Sequence, residues 1–238
     1  MAFTTEDLSD KEQDNRDICP VTFSDQEGLF IPLTTIHDVI ITPWREDDID
    51  DMVDLYNHPS VARYAVTRPI PYTYKDASFL SIEIANTRSF LDELPNRLPT
   101  PPSKTSYPHG EISPFGAVRI RDTQKLIGSL HVRPSGYSPG NWEISYYLNP
   151  NYTRRGIGSE MIRKGVQLAK WLGVERIVAF TAAENIPSNV VLKKTGFTIY
   201  SDHIIDWPEF LGGGKKDVYT WDQYLVPFEG KGPPIVEG

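Results

Sequence analysis

A strand-like run, a glycine-rich turn and an amphipathic helix follow one another in the second half of the chain. The run WEISYYL, residues 142 to 148, is aromatic and β-branched, which favours a central strand. The segment NYTRRGIGSEMIRKG, residues 151 to 165, then places two arginines and two glycines directly before a helix. From Ile157 to Leu172 apolar residues recur at helical intervals, and Gly173 suits the left-handed position that closes a helix.

Strand-like and helical segments alternate along the rest of the chain. Further strands are predicted at residues 39–45, 115–121, 126–133, 176–182, 198–205 and 217–226. Further helices are predicted after residue 47 and within residues 58–64, 72–91 and 185–197. This order predicts a mixed α/β or α+β domain built around one central sheet.

The ends of the chain and one internal segment differ in composition from this domain. Residues 1–28 are charged and poor in aromatics, which predicts a disordered acidic N-terminal tail. Residues 29–226 are expected to form a single domain. Repeated prolines in residues 94–114 predict an irregular surface loop inserted in it, and residues 227–238 predict a loose C-terminal tail.

The charge and the cysteine content exclude several classes of partner. A formal net charge of −8 at pH 7 argues against a general nucleic-acid or anionic-membrane binder, because those partners are held through excess Lys and Arg. The single Cys19 cannot form an internal disulfide, and no Cys/His cluster offers four ligands for zinc. No stretch approaches the ~20 apolar residues of a membrane span. We therefore expect no metal and a cytoplasmic location, with the nucleus left open.

The glycine-rich turn has two interpretations. The N-terminus of a helix presents free N–H groups and partial positive charge, and Gly156 and Gly158 would let a phosphate approach them closely. Arg154 and Arg155 add cationic charge at the same place. The same residues also fit a plain strand-to-helix turn with solvated arginines, and their spacing alone does not separate the two.

Three separated motifs decide between these interpretations. They are EISYYLNP before the turn, the turn itself, and NIPSNVVLKKTGF, with ITPWREDDIDDMVDLYNHPSVARY and PIPYTYKDA in the first half. Together they resemble the GNAT N-acetyltransferases, in particular their RimJ/RimL-like branch, over roughly residues 39–226. The resemblance implies the GNAT fold, a mixed and mostly antiparallel sheet flanked by helices, with splayed strands at the acetyl-CoA site.

The resemblance also implies the positions of the donor substrate. The pantetheine arm of acetyl-CoA would pair with free backbone groups near Tyr147 and Leu148, and its pyrophosphate would meet the glycine-rich turn. The implied contacts are Tyr147, Leu148, Arg154, Arg155, Gly156, Ile157, Gly158, Ser159 and Asn185. The amide of Leu148 would donate to the oxyanion. Two positions depart from the family pattern: Thr153 stands in place of Gln or Arg, and Leu192 in place of a tyrosine acid.

Two side chains are candidates for proton transfer. Glu143 lies in the central strand and could act as the base, or it could form an ion pair with a strand neighbour. Ser188 could protonate the departing thiolate, or it could cap the last helix. Asn185 could bind the cofactor arm or simply form a turn. His131, in a predicted strand, is expected to be a structural histidine with its hydrogen bonds satisfied.

The resemblance implies transfer of an acetyl group from acetyl-CoA to a primary amine by direct attack. A protein or peptide α-amino group is one acceptor, and a small amine such as a polyamine, an amino acid or an aminoglycoside-like compound is another. A module that binds acyl-CoA without turnover is the alternative to an enzyme. We expect a monomer or a homodimer with no nucleic-acid or membrane partner.

Overall fold

The computed structural model describes residues 18–103, 105–108 and 113–225. Within them nine strands form one sheet in the order β1-β2-β3-β4-β5-β6-β7-β9-β8. Their bounds are β1 Thr22–Ser24, β2 Gly28–Pro32, β3 Val39–Pro43, β4 Phe115–Ile120, β5 Leu126–Pro134, β6 Trp142–Leu148, β7 Arg176–Ala182, β8 Thr198–Asp206 and β9 Lys215–Tyr224. Strands β6 and β7 run parallel, and the other neighbours are antiparallel. The predicted mixed, mostly antiparallel sheet is confirmed.

Helices flank this sheet where the apolar spacing predicts them. Their bounds are α1 Ile49–Asn57, α2 Pro59–Ala62, α3 Tyr74–Ala77, α4 Leu80–Glu93, α5 Ile157–Trp171 and α6 Ile186–Lys194. Helices α1 to α4 connect β3 to β4, α5 connects the parallel strands β6 and β7, and α6 connects β7 to β8. A parallel pair needs such a crossover, which is why the glycine-rich turn opens a helix instead of a hairpin.

The two faces of β5 contact different helices. Leu130 and Val132 point to α5, where their methyl groups leave little room for a Cβ at Gly165. Ser129 points the other way, and its Oγ accepts a hydrogen bond of 3.1 Å from the Tyr56 hydroxyl of α1. Side chains alternate along a strand, so α1 and α5 lie on opposite faces of the sheet. We refer to these as the α1 face and the α5 face.

The parallel strands β6 and β7 separate after a short paired stretch. The register joins residues 142–143 of β6 to residues 177–178 of β7. Strand β6 continues to Leu148 and β7 to Ala182 without further pairing to each other. The splayed strands expected from the resemblance are therefore present, and they leave a gap with free backbone groups on both sides.

A buried ion pair fastens the start of α1 to the sheet. The side chains of Arg119 and Asp48 are 2% and 3% exposed, and the guanidinium donates to both carboxylate oxygens, at 2.8 and 2.9 Å. Arg119 also donates to Thr42 Oγ1 at 2.7 Å and to the Gln124 carbonyl at 3.0 Å. The carboxylate of Asp48 further accepts from the Arg45 amide at 2.8 Å. The pair thus joins β3, β4 and the turn before α1.

The N-terminal boundary predicted at residue 28 is wrong. Strand β1 pairs with β2 in a hairpin at the edge of the sheet, and Val21 is buried in the core. The polar composition misled the prediction, because an edge strand needs only backbone pairing and leaves side chains such as Phe23 in solvent. Residues 1–17, the rest of that predicted tail, and the predicted tail 227–238 lie outside the described residues.

The described residues of the proline-rich segment 94–114 include a 3-10 turn at Leu94–Asn96, and the segment is not only a surface loop. Leu94 and Tyr107 are buried, and the Tyr107 hydroxyl donates to the Val132 carbonyl at 3.1 Å. The indole N–H of Trp171 in α5 donates to the Pro99 carbonyl at 2.8 Å. The segment therefore covers part of the core on the α5 face.

Candidate active site

The gap between β6 and β7 is lined by the backbone of particular residues. The Asn149 amide, just after β6, donates to the Ile127 carbonyl at 2.8 Å and so points to β5. Backbone groups of alternate residues point to the same edge of a strand, so those of Tyr147 also face β5. The groups of Tyr146 and Leu148 face the gap. The pantetheine arm was predicted to pair near Tyr147 and Leu148, and of these two residues Leu148 presents its backbone to the gap while Tyr147 presents its backbone to β5. The Leu148 amide has the direction that an oxyanion donor requires.

The glycine-rich turn presents free amides at the start of α5. Gly156 is the N-cap with φ 85°, and Arg154 also has a left-handed backbone, with φ 62°. The Glu160 amide bonds to the Gly156 carbonyl at 3.1 Å, while the first-turn amides of residues 157–159 have no intrahelical acceptor. The side chains of Arg154 and Arg155 are exposed beside them. The turn has the geometry of a phosphate cradle.

Thr153, which departs from the family pattern, has a local role. Its Oγ1 donates to the Pro150 carbonyl at 2.8 Å and closes the turn that leads from β6 to Arg154. Arg155 donates to the Asn151 carbonyl at 3.0 Å, and its guanidinium lies 5.4 Å from the centre of the Tyr152 ring. These contacts orient the turn from within.

The segment after β2 contacts the glycine-rich turn from outside. The Glu160 carboxylate, in the first turn of α5, accepts from the Thr34 amide at 3.1 Å and from Arg163 at 2.7 Å. The Ile36 methyl lies 3.7 Å from the position that a Cβ on Gly156 would take. The N-terminal edge of the sheet therefore supports this helix start.

The start of α6 brings a serine and a tyrosine together. Asn185 is the N-cap, and its side-chain oxygen accepts from the Ser188 amide at 3.4 Å. Ser188 is therefore not the cap, and its hydroxyl lies 2.7 Å from the hydroxyl of Tyr146 on β6. Burial raises the pKa of Tyr146 to about 12, although the hydrogen bond to Ser188 acts in the opposite direction, so the phenol stays protonated at neutral pH.

No chemical role was assigned to Tyr146 from the sequence. The alternation along β6 contained the missing signal, because Ile144 contacts α5 at Gly165 and Tyr146, two residues later, must point to the same face. That face carries the helices after β6, which places the phenol near Ser188.

Glu143 forms the ion pair that was the alternative to a base. It is 5% exposed, and Arg133, its partner in the β5–β6 register, donates to Oε1 from Nε and Nη2 at 3.2 Å each. The Ser135 hydroxyl donates to Oε2 at 2.9 Å. The pair lies at the last position where β6 and β7 are still joined.

Aromatic side chains surround an arginine on the α1 face. We call this set, Arg68, Trp44, Tyr56, His131 and Tyr147, the Arg68 cluster. The guanidinium carbon lies 4.0 Å from the centre of the Tyr56 ring and 4.4 Å from that of Tyr147. His131 stacks on Trp44 with ring centres 6.0 Å apart. One guanidinium nitrogen and both imidazole nitrogens are buried without a hydrogen-bond partner among the described residues. His131 is buried, and its hydrogen bonds are not satisfied among the described residues, contrary to the expectation.

The environment of His131 predicts a pH-dependent stability. Burial lowers the pKa of His131 well below the ordinary value of 6.5, and the positive charges of Arg68 and Arg133 lower it further. Below pH 6.5 the unfolded chain therefore binds more protons at this site than the folded protein does. Stability present above pH 6.5 is lost as the pH falls toward the folded pKa, by about 1.4 kcal/mol for each pH unit. We expect His131→Phe to remove this dependence.

The measurement is urea unfolding of both proteins between pH 7.5 and 5.5. The difference in unfolding free energy between the wild type and His131→Phe should change by about 1 kcal/mol across pH 6.5 to 5.5, because the unfolded histidine is already half protonated at pH 6.5. His203→Phe, at an exposed histidine of β8, is the control and should leave the wild-type dependence unchanged. A pH-independent difference for His131→Phe would show that the folded imidazole titrates normally.

Two searches of the described residues found nothing. No group of three or more His, Cys, Asp or Glu among them could hold a metal ion. No helix in the described ranges is both long enough and apolar enough to cross a membrane.

Comparison with known proteins agrees with this geometry. A curated relative, an uncharacterized N-acetyltransferase YnaD of Bacillus subtilis (strain 168), is 36% identical over 80 residues, which are 33% of this chain and 46% of the relative. The chain thus spans less than half of that relative's length.

Solved structures share the fold at low identity. The ribosomal-protein-S5-alanine acetyltransferase of Vibrio fischeri superposes with a TM-score of 0.59 at 13% identity, covering 81% of this chain and 96% of that one. The spermidine N-acetyltransferase of Vibrio cholerae, solved with CoA and spermine, has a TM-score of 0.55 at 13% identity, covering 79% and 96%. The family described as "Acetyltransferase (GNAT) domain" matches residues 38–198. With the splayed strands and the glycine-rich turn at the start of α5, that match shows that the chain belongs to the GNAT acetyltransferase family.

Proposed function

We propose that the protein transfers an acetyl group from acetyl-CoA to a primary amine by direct attack. The observation that carries the proposal is the gap between β6 and β7, which ends at a helix start with free amides. An extended pantetheine arm fits such a gap as an added strand, bonded to the free backbone groups of Tyr146 and Leu148. The two ends of the donor would thus have separate partners, the strand gap for the pantetheine arm and the helix start for the phosphates.

Different groups of the protein would bind the pyrophosphate and the thioester of acetyl-CoA. The amides of residues 157–159, with Arg154 and Arg155, would hold the pyrophosphate, since a helix N-terminus favours anions. Asn185 would contact the arm from the start of α6. The Leu148 amide would donate to the carbonyl oxygen as it gains negative charge during attack.

The proposed chemistry needs a proton donor and a proton acceptor. The amine nitrogen forms a bond to the thioester carbon, the carbon–sulfur bond breaks, and the thiolate takes a proton. Ser188 is the proposed donor, and the protonated Tyr146 phenol at 2.7 Å can return a proton to it. Glu143 remains a candidate base that would act through water, with Arg133 and Ser135 fixing its carboxylate.

The proposal also covers the class of acceptor, the location of the protein and its partners. The RimJ/RimL-like motifs favour a protein or peptide α-amino group, and the V. fischeri structure bears the name of an enzyme for a ribosomal protein. The V. cholerae structure is named for spermidine, so a small amine is the alternative acceptor. A cytoplasmic location, a monomer or homodimer, and the absence of nucleic-acid and membrane partners stay predictions.

Release of free thiol from acetyl-CoA in the presence of a panel of primary amines tests the proposal. We expect Ser188→Ala to lower kcat at least about 100-fold, the usual contribution of a positioned acid, with little change in the KM for acetyl-CoA. Ser188→Thr keeps the hydroxyl and should retain most of the activity. The kcat of Tyr146→Phe should lie between those of Ser188→Ala and Ser188→Thr, because this variant keeps the Ser188 hydroxyl but loses the phenol that returns a proton to it.

Two outcomes would contradict the proposal. Thiol release no faster than the background with every amine, by protein that binds acetyl-CoA, would indicate the non-catalytic module. Full activity of Ser188→Ala would remove Ser188 from the chemistry and leave the phenol of Tyr146 as a structural hydroxyl.

A further inference from the structure

Arg68 differs from the other arginines that contact the sheet. Arg119, Arg133 and Arg176 each have a carboxylate partner within 3.2 Å. Among the described residues Arg68 has no ion pair, and its buried Nη1 has no hydrogen-bond partner. An unpaired charge costs several kcal/mol to bury, so an arginine kept in such a place without an acid calls for an explanation.

The two tyrosines account for the orientation of Arg68 but not for its charge. Its guanidinium carbon lies 4.0 and 4.4 Å from the ring centres of Tyr56 and Tyr147, and these rings are nearly perpendicular to each other, so they contact it on two adjacent sides. These contacts leave Nη1 without a partner among the described residues, and the N–H groups of a guanidinium match the two oxygens of a carboxylate. The cluster therefore presents a fixed, charged fork.

This fork lies next to the proposed reaction centre. Tyr147 directly precedes Leu148, whose amide is the oxyanion candidate, and the Tyr147 side chain points to the α1 face, where Tyr56 contacts it with ring centres 5.5 Å apart. The side chains that face the acceptor would then be those on the α1 face of β6, since α5 and the Tyr146–Ser188 pair lie on the other face.

We propose that Arg68 binds a carboxylate on the acceptor, so that the acceptor is a small amine carrying an acidic group, such as an amino acid. This inference rests on the proposed acetyl transfer. A polyamine would bring further positive charge to an unpaired cation, which is unfavourable at low dielectric. The same positive charge favours the neutral form of a nearby amine, which is the form that attacks.

The test compares acceptors with and without a carboxylate near the amine. Thiol release is measured with the protein amino acids, with the matching amino-acid amides, with spermidine, and with peptides that begin with Asp, Glu or Ala. We expect kcat/KM for the best amino acid to exceed that for its amide at least about 50-fold, as a charge-assisted bidentate contact would give. Spermidine should be a poor acceptor.

Variants assign the selectivity to Arg68. Arg68→Met should reduce the acid-to-amide ratio to near one, while the KM for acetyl-CoA changes little. Arg68→Lys keeps the positive charge but not the forked pair of N–H groups, so its acid-to-amide ratio should lie between those of Arg68→Met and the wild type. Arg63→Met is the control, since Arg63 is exposed and lies over only the Tyr64 ring, at 4.9 Å. Melting temperatures establish that each variant is folded.

The outcomes separate this inference from the proposed function. If the wild type and Arg68→Met acetylate spermidine or the amides equally well, the inference is overturned and acetyl transfer still stands. Preference for peptides beginning with Asp or Glu over free amino acids would keep the carboxylate at Arg68 but overturn the small acceptor. If no amine is acetylated, calorimetry of amino acids with the CoA-bound protein decides: carboxylate-dependent binding lost in Arg68→Met supports the subsite, and its absence overturns it.

Discussion

Gly156→Val is expected to weaken the binding of acetyl-CoA on the order of 100-fold, equivalent to losing one or two charge-assisted hydrogen bonds. Gly156 holds φ 85° at the N-cap of α5, a conformation that a β-branched residue adopts poorly. Relaxing that strain turns the peptide groups that follow, and these carry the amides of residues 157–159. The substitution therefore misdirects the phosphate contacts without touching the core.

The other end of the same helix provides a matched control. Gly173 has φ 75°, and no other residue lies within 4 Å of the position of a Cβ there. Gly173→Val carries a comparable backbone cost, about 1–2 kcal/mol of stability in each variant, but leaves the turn intact. Isothermal calorimetry with acetyl-CoA and urea unfolding of both variants separate the effects. Equal affinities of the two variants for acetyl-CoA would rule out the cradle.

Asp48→Ala is expected to destabilise the protein by about 3–5 kcal/mol. The substitution leaves the Arg119 guanidinium, 2% exposed, without its carboxylate and with its charge still buried. It also removes the acceptor of the Arg45 amide at the turn before α1. Urea unfolding monitored by tryptophan fluorescence and circular dichroism measures the loss.

An exposed ion pair of similar length is the control for that loss. Lys215 and Asp206 also lie 2.9 Å apart, but their side chains are 71% and 87% exposed. Asp206→Ala should cost about 1 kcal/mol or less, because water replaces the lost contact. If the two substitutions cost the same, the Arg119 pair is not desolvated as the structure describes it.

Local patterns in the sequence were sufficient for most of the fold. The alternation in residues 142–148 and the helical spacing after Ile157 gave β6 and α5 with bounds close to those observed. The hairpin of β1 and β2 was not predicted, because β1 has only three residues and is stabilised by backbone pairing, which has no compositional signature, and the five residues of β2 are too few to show a clear pattern. The burial of Leu94 and Tyr107 was not predicted, because prolines indicate irregular backbone and do not indicate whether neighbouring side chains are buried.

The candidate site divides in the same way. The turn at Gly156 is local, so its position and left-handed backbone follow from the sequence. The contact between Tyr146 and Ser188 joins residues 42 positions apart, and its prediction needs the register of the sheet as well as the pattern. Arg68 has no acidic partner among the described residues, and no sequence motif predicts the absence of a partner.

The Thr34–Glu160 contact has a consequence for how such a chain can change. The first turn of α5 carries a negative charge where an anion is to be held, and that charge is tolerated because an amide from the segment after β2 and Arg163 neutralise it. Insertions or deletions between β2 and β3 would release this carboxylate toward the incoming phosphates. The segment between β2 and β3 and the glycine-rich turn are therefore constrained to vary together, although more than 100 residues separate them in the sequence.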